Sequence, residues 1–179
     1  MKVTIKLDLG PSIMRIRKES PADAAAIEAV TVAAFQNAAH TDHTEQFIVN
    51  ALRNSGQLSV SLVAEDDGSI IGHVAVSPVR ISGCVADWYG LGPISVAPGH
   101  QGQGVGALLM EHALAELRTL GAAGCVVLGD PGYYSRFGFK AEPSLLLPGV
   151  PAEYFQALAF NGSLPSGTVS YHDAFAAKV

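Results

Sequence analysis

Residues Val96-Ala97-Pro98-Gly99-His100-Gln101-Gly102-Gln103-Gly104-Val105-Gly106-Ala107 join an apolar, strand-like run to an amphipathic, helix-like run. A strand, a glycine-rich turn and a helix start make an anion site. The first amides of a helix lack intrahelical partners and point at whatever lies beyond its N-terminus, and the helix dipole adds partial positive charge there. Glycines let the main chain approach a bulky anion, because no Cβ stands in the way. A phosphorylated small molecule is the ligand this layout predicts.

The elements around this turn set the fold class. Ile13 to Lys18 alternates apolar and basic residues and reads as a strand. Ser20-Pro21-Ala22-Asp23 is a helix start, with Ser as N-cap and Pro at the first helical position. That helix runs to about Phe35, and a second spans about Thr44 to Arg53. Leu58–Glu65 and Ile70–Arg80 flank the hairpin signal Asp66-Asp67-Gly68-Ser69. Trp88–Val96 is the next strand. A long helix of about Gln103 to Leu120 has Leu108, Leu109, Ala113, Leu117 and Leu120 as its apolar face. Cys125 to Leu128 reads as a buried parallel strand, Tyr133 to Phe137 as a short helix, and Phe155 to Phe160 as a further strand. The order β-α-α-β-β-β-α-β-α-β predicts an α+β domain. Its central sheet is mixed and mostly antiparallel, with helices on both faces. Residues 1–12 are expected as a flexible N-terminus, residues 13–179 as one domain, with a proline-containing extension from about residue 145.

Composition excludes several functions. The formal net charge of −5 argues against nucleic-acid binding, which needs a basic field. No apolar run reaches the length of about 20 residues that spans a bilayer. Met1 to Pro11 lacks the apolar core and cleavage site of a signal peptide, and two cysteines make no disulfide framework, so a cytoplasmic setting is expected. No Cys/His spacing suggests zinc, and no metal is expected. Low charge (15%) and the proline-containing apolar tail imply that Leu145 to Phe160 packs on the domain or on a second subunit, and a homodimer is expected because symmetric dimers are the commonest oligomers.

Gln101-x-x-Gly104-x-Gly106 resembles the coenzyme A pyrophosphate loop of the GNAT superfamily of N-acetyltransferases. Tyr89-Gly90-Leu91-Gly92-Pro93-Ile94-Ser95-Val96 fits that family's bulged strand, since glycines and a proline weaken a ladder. Tyr133-Tyr134-Ser135-Arg136-Phe137-Gly138-Phe139 resembles the family segment that carries the general acid. The resemblance covers roughly residues 13 to 142, its specific part runs from Trp88 to Phe139, and the tail matches a bacterial branch of predicted N-acetyltransferases. It implies the acyl-coenzyme A N-acyltransferase fold, and acetyl-coenzyme A as co-substrate. Binding of the latter falls to Ile94, Ser95, Val96, Gln101, Gly102, Gln103, Gly104, Val105, Gly106 and Ala107. It also implies Tyr134 as the acid that protonates the leaving thiolate, and an amine of a small molecule or peptide as acceptor. Where the family often has Asn, this chain has Gly129-Asp130-Pro131, so that contact is not carried over. Candidate bases are Glu45, Glu65, His73, Asp87 and His100, with Glu45 foremost because its helix would border the acceptor groove. Tyr133 is expected as packing or pocket wall, His73 as structural, and Asp130 as a substrate contact or a cap.

Two other classes stay open from the residues alone. Gly102-Gln103-Gly104-Val105-Gly106-Ala107 also fits the dinucleotide fingerprint of an NAD(P)-binding oxidoreductase, with Asp130 placed as a ribose-binding acid could be. Against it, Ala97 to Gln101 separate the strand from the first glycine, and too little chain follows Asp130. The second class is a non-catalytic acyl-coenzyme A sensor or partner module. Absence of Gly-Lys-Ser/Thr excludes a P-loop.

Overall fold

The structure, a computed structural model, describes residues 13–179. The expected flexible N-terminus, 1–12, lies outside the described residues. In chain order the elements are β1 (Arg15–Lys18), α1 (Ala24–Phe35), α2 (Glu45–Asn54), β2 (Val60–Asp66), β3 (Ser69–Ile81), β4 (Trp88–Val96) and α3 (Val105–Thr119), then β5 (Gly124–Leu128), α4 (Pro131–Tyr134), β6 (Lys140–Ala141), β7 (Leu145–Leu146), β8 (Phe155–Ala159) and β9 (Gly167–Ser170).

The local signals act where they stand. Asp67 and Gly68 both have positive φ, 47° and 76°, which is the two-residue turn whose twist suits a hairpin. Before α1, the Asp23 carboxylate accepts from Ser20 N at 2.7 Å and Ser20 Oγ at 2.9 Å. It also accepts from both terminal nitrogens of Arg17, at 2.7 and 3.0 Å. That guanidinium holds the Asp23 carboxyl well below the usual carboxylate range.

The main sheet has the order β1-β2-β3-β4-β5-β8-β6. Its neighbours are antiparallel except for β4 and β5. At its far end β3 also pairs with β9, which pairs with β7. Period-2 alternation splits the side chains between two faces. Leu62, Ala64, Val74, Val76, Cys125 and Val127 meet α3 in the largest core, whereas Val63 and Ala75 meet Ile27 of α1 and Val49 of α2. Of the expected α3 face, Leu109, Ala113 and Leu117 are buried together with Val105, Met110 and Leu114. Leu108 is only half-buried. Leu120 lies past the helix, at the turn into Gly121, and is 54% exposed.

The tail departs most from the sequence reading. β8 lies beside β5 from Gly124↔Ala159 to Leu128↔Phe155, and β6 pairs with its other edge. β6, β7 and β9 have no counterpart in the expected order. The stretch from Leu145 to Phe160 thus packs on the domain through β7 and β8, one of its two expected placements. Among the described residues, no helix is long and apolar enough to cross a membrane.

Candidate active site

β4 and β5 pair only over Trp88–Gly90 and Gly124–Val126. Beyond Gly90, β4 continues to Val96 and β5 to Leu128 without pairing, so the strands splay. The cause lies on the other side of β4, where Val74 pairs with Ile94 but Val76 with Leu91. That shift inserts an extra residue into β4 and bends it. Pro93, with no N–H to give a ladder, sits in the bulge.

Register decides which main-chain groups face the gap. Ala97 N donates to Ile71 O at 2.8 Å, and Val96 is paired with Gly72. Hydrogen-bonded and non-hydrogen-bonded pairs alternate in an antiparallel ladder. Ser95 is therefore bonded to β3, and the amides and carbonyls of Ile94 and Val96 point away from β3 into the splay. The Ser95 side chain faces the opposite way from its expected ligand: it is buried, and its Oγ donates to Thr31 of α1 at 3.3 Å. Gln101 Nε2 donates to Val96 O at 3.0 Å and ties the loop to the strand end.

Next, Pro98–His100 form a 3-10 turn, and Gly102 and Gly104 adopt φ of 72° and 86°, the left-handed region that favours glycine. Gly104 is the N-cap of α3, and no side chain caps it. Its carbonyl takes Leu108 N at 3.0 Å, which leaves the amides of Val105, Gly106 and Ala107 without an intrahelical acceptor. The Tyr133 hydroxyl lies 2.8 Å from where a Cβ on Gly106 would stand. Tyr133 thus brings its hydroxyl to the loop, with the Arg136 guanidinium 4.6 Å over its ring. Nothing in the local sequence separates the two neighbouring tyrosines; only the approach of Tyr133 to Gly106 and of Tyr134 to Gly129 does.

On the β5 side, Asp130 caps α4, accepting from Gly132 N at 2.9 Å. Tyr134 follows on that helix. Its Cε2 lies 2.5 Å from where a Cβ on Gly129 would be, so the ring rests on bare backbone at the strand end. It packs edge-on against Tyr133 and Phe139, with ring centres 5.0 and 6.2 Å apart. Burial pushes the Tyr134 phenol up to about 12, and Tyr133, Asp130 and Cys125 add to the shift. The proton stays on this hydroxyl throughout the neutral range.

The glycine loop, the splayed strand and the tyrosine thus meet on one parallel β4–α3–β5 unit. Residues 57–141 match the family model of the acetyltransferase (GNAT) domain. Over 171 residues the chain is 38% identical to the uncharacterized N-acetyltransferase YhbS of Escherichia coli strain K12, spanning 90% of this chain and 98% of that one. The chain belongs to the GNAT acetyltransferase family. Two solved GNAT structures are similar over nearly the whole length. One is a GNAT family acetyltransferase from Brucella melitensis in complex with acetyl-CoA, at 53% identity and a TM-score of 0.82, covering 91% of this chain and 98% of that one. The other is Escherichia coli YhbS in complex with CoA, at 36% identity and 0.81, covering 93% and 94%. The chain is accordingly an acyltransferase, and its βαβ unit is a single one set in an antiparallel meander rather than part of a doubly wound dinucleotide domain.

In this GNAT chain the candidate bases scatter. Glu45 opens α2, on the face opposite α3; Thr41 Oγ1 donates to its Oε1, while its Oε2 is buried without a partner. Nothing links it to Tyr134. Glu65 is taken up by Arg15 and Arg17, at 2.8 and 2.6 Å. Asp87 is exposed, and its carbonyl receives Ala123 N. His73 is wholly buried, with its Nε2 2.8 Å from Ser61 Oγ. His100 is half-buried beside the loop, its Nδ1 unpartnered. Among the described residues no group of three or more His, Cys, Asp or Glu side chains could hold a metal ion.

Proposed function

We propose that this enzyme moves an acetyl group from acetyl-coenzyme A directly to a primary amine of a small molecule or peptide. One observation carries the reading: an uncapped, glycine-lined helix start and the main-chain amides of Ile94 and Val96, turned away from β3, lie along one edge that ends near a half-buried, protonated tyrosine. The relatives solved with acetyl-CoA and CoA support it. The amides of Val105, Gly106 and Ala107, with Gln101, Gly102, Gln103 and Gly104 shaping the turn, hold the pyrophosphate. The main chain of β4 from Ile94 to Val96 pairs with the pantetheine arm. Of the two amides that face the gap, that of Ile94 rather than of Val96 is the farther from the pyrophosphate, and it donates to the thioester carbonyl oxygen, where negative charge develops as the amine nitrogen attacks. When the C–S bond breaks, Tyr134 gives its proton to the leaving sulfur. Glu45 is the residue we assign to take the proton released by the amine.

A relay through a cysteine is disfavoured. Cys125 is wholly buried and its thiol is pushed up by burial, so no thiolate forms there. Cys84 is half-buried among apolar neighbours.

Tyr134→Phe keeps the ring and removes the proton. With an amine acceptor found by screening for free-thiol release, the turnover number should fall by about 10²–10⁴. Calorimetric affinity for acetyl-CoA should hardly change. A wild-type rate in this variant, with chemistry limiting, would assign the proton to another group. Binding of NAD in place of acetyl-CoA would overturn the reading altogether.

A further inference from the structure

Gly90 and Val126 are the last paired residues before β4 and β5 part. The space that a Cβ on Gly90 would occupy is taken by Tyr171, whose Cε1 lies 2.5 Å and Cδ1 3.2 Å from that point, with Val79 Cγ1 at 3.0 Å. A tyrosine from the far end of the chain therefore sits at the apex of the splay, against bare backbone.

Its position is clamped on both sides. Tyr171 follows β9, whose Ser170 pairs with Arg80 of β3. It precedes a 3-10 turn, Asp173–Ala176, in which His172 Nδ1 accepts from Ala174 N at 3.1 Å. That turn packs against α2, and the ring of Phe175 lies 4.7 Å from that of Tyr171. Burial raises the Tyr171 phenol's pKa, and Cys125 and Tyr134 are near enough to raise it further. Ser77, opposite Gly90 across β3 and β4, is wholly buried, and Tyr171 itself is half-buried.

We propose that Tyr171 is the end wall of the acyl pocket and restricts the thioester to an acetyl-sized group. The inference rests on the coenzyme A reading above. With the pyrophosphate at the Gln101–Ala107 loop, the pantetheine arm runs back along β4 from Val96 toward Gly90, and its acyl end points at the apex. Each further methylene would need volume that the ring fills. Close-packed interiors yield such volume only by straining their side chains.

Calorimetry with acetyl-, butanoyl- and hexanoyl-CoA tests this without knowledge of the acceptor. Wild type and Tyr171→Phe should bind butanoyl-CoA at least about tenfold more weakly than acetyl-CoA, as methylene discrimination by a closed pocket predicts. Hexanoyl-CoA should bind more weakly still. Tyr171→Ala should bring the butanoyl and acetyl affinities to within about twofold, with Tyr171→Leu in between. Equal affinities in wild type, or an unchanged ratio in Tyr171→Ala, would overturn the proposal. If Tyr171→Ala does not melt cooperatively, Tyr171→Leu decides: a ratio moving toward one supports the wall and a wild-type ratio refutes it. Wild type that binds no acetyl-CoA at all would instead remove the cofactor reading, and the wall with it.

Discussion

His73 shows how a polar side chain in a sheet interior can be structural. Its Nε2 lies 2.8 Å from Ser61 Oγ, and that hydroxyl donates to Glu19 Oε2 at 2.5 Å. Glu19 also receives Arg53 Nε and Nη2 at 2.8 and 3.0 Å. Since Ser61 gives its only hydrogen to Glu19, His73 must donate from Nε2, and its unpartnered Nδ1 is a bare acceptor. Burial lowers the His73 pKa, Arg53 lowers it further, and Glu19 opposes without reversing the shift. The unfolded chain then binds a proton more readily than the folded one. The stability that His73 contributes is present above the ordinary histidine value of about 6.5 and is lost as pH falls through the folded value. Glu19 and Asp23 are held well below the usual carboxylate range: Arg53, His73 and Ser61 outweigh burial at the first, and Arg17 acts on the second. Their stabilisation is present above about pH 4 and is lost only at lower pH. The melting temperature should therefore fall between pH 7 and 5, and His73→Gln should flatten that slope. An equal slope in the variant would assign the titration to another group.

At the scale of elements, the splay needs a firm hinge, and β5 supplies it through Gly124. A Cβ there would lie 2.4 Å from Trp88 Cη2 and 2.7 Å from Leu158 O, so the glycine lets β4, β5 and β8 close together. Gly124→Ala should cost about 1–3 kcal/mol in urea denaturation, the usual range for overpacking. Gly99, in the loop, has nothing within 4 Å of its would-be Cβ. Gly99→Ala should stay within about 0.5 kcal/mol of wild type. Equal losses at both positions would show that Gly124 matters for chain flexibility rather than for close approach.

For the molecule as a whole, the part that matches the family model is covered by segments outside it. Residues 57–141 contain the loop and Tyr134, but β5 is covered on one edge by β8 and Gly90 is covered by Tyr171. A chain ending at Pro143 would leave Cys125, Val126 and Val127 on a bare sheet edge. Such edges invite aggregation. That truncation should lose cooperative melting and expose apolar surface to a hydrophobic dye, whereas the full chain should melt in one transition. A truncated chain that melts like the full one would show the tail to be an accessory.

Local rules wrote the β2–β3 hairpin, the bounds of β4, the glycine loop and the short helix bearing Tyr134, because turn chemistry, helix starts and apolar runs act within a few residues. Ile94 and Val96 came from the family resemblance, to which the local rules added only the glycines and the proline that weaken the strand. Those rules could not say that Ser95, between Ile94 and Val96, faces α1, since that depends on which β4 residues bond β3. β6, β7 and β9 are too short to carry a periodic signal, and their partners lie far away in sequence. Glu65 read as a candidate base until its pairing with Arg15 and Arg17 was visible, and charge pairing between strands is set by register. The approach of Tyr171 to Gly90 joins two segments with no common motif. What the residues determined by themselves was the chemistry that one βαβ unit can support. Which groups reach the cleft, and what closes its end, was decided by packing between distant elements, because a close contact is a property of the fold and not of either segment alone.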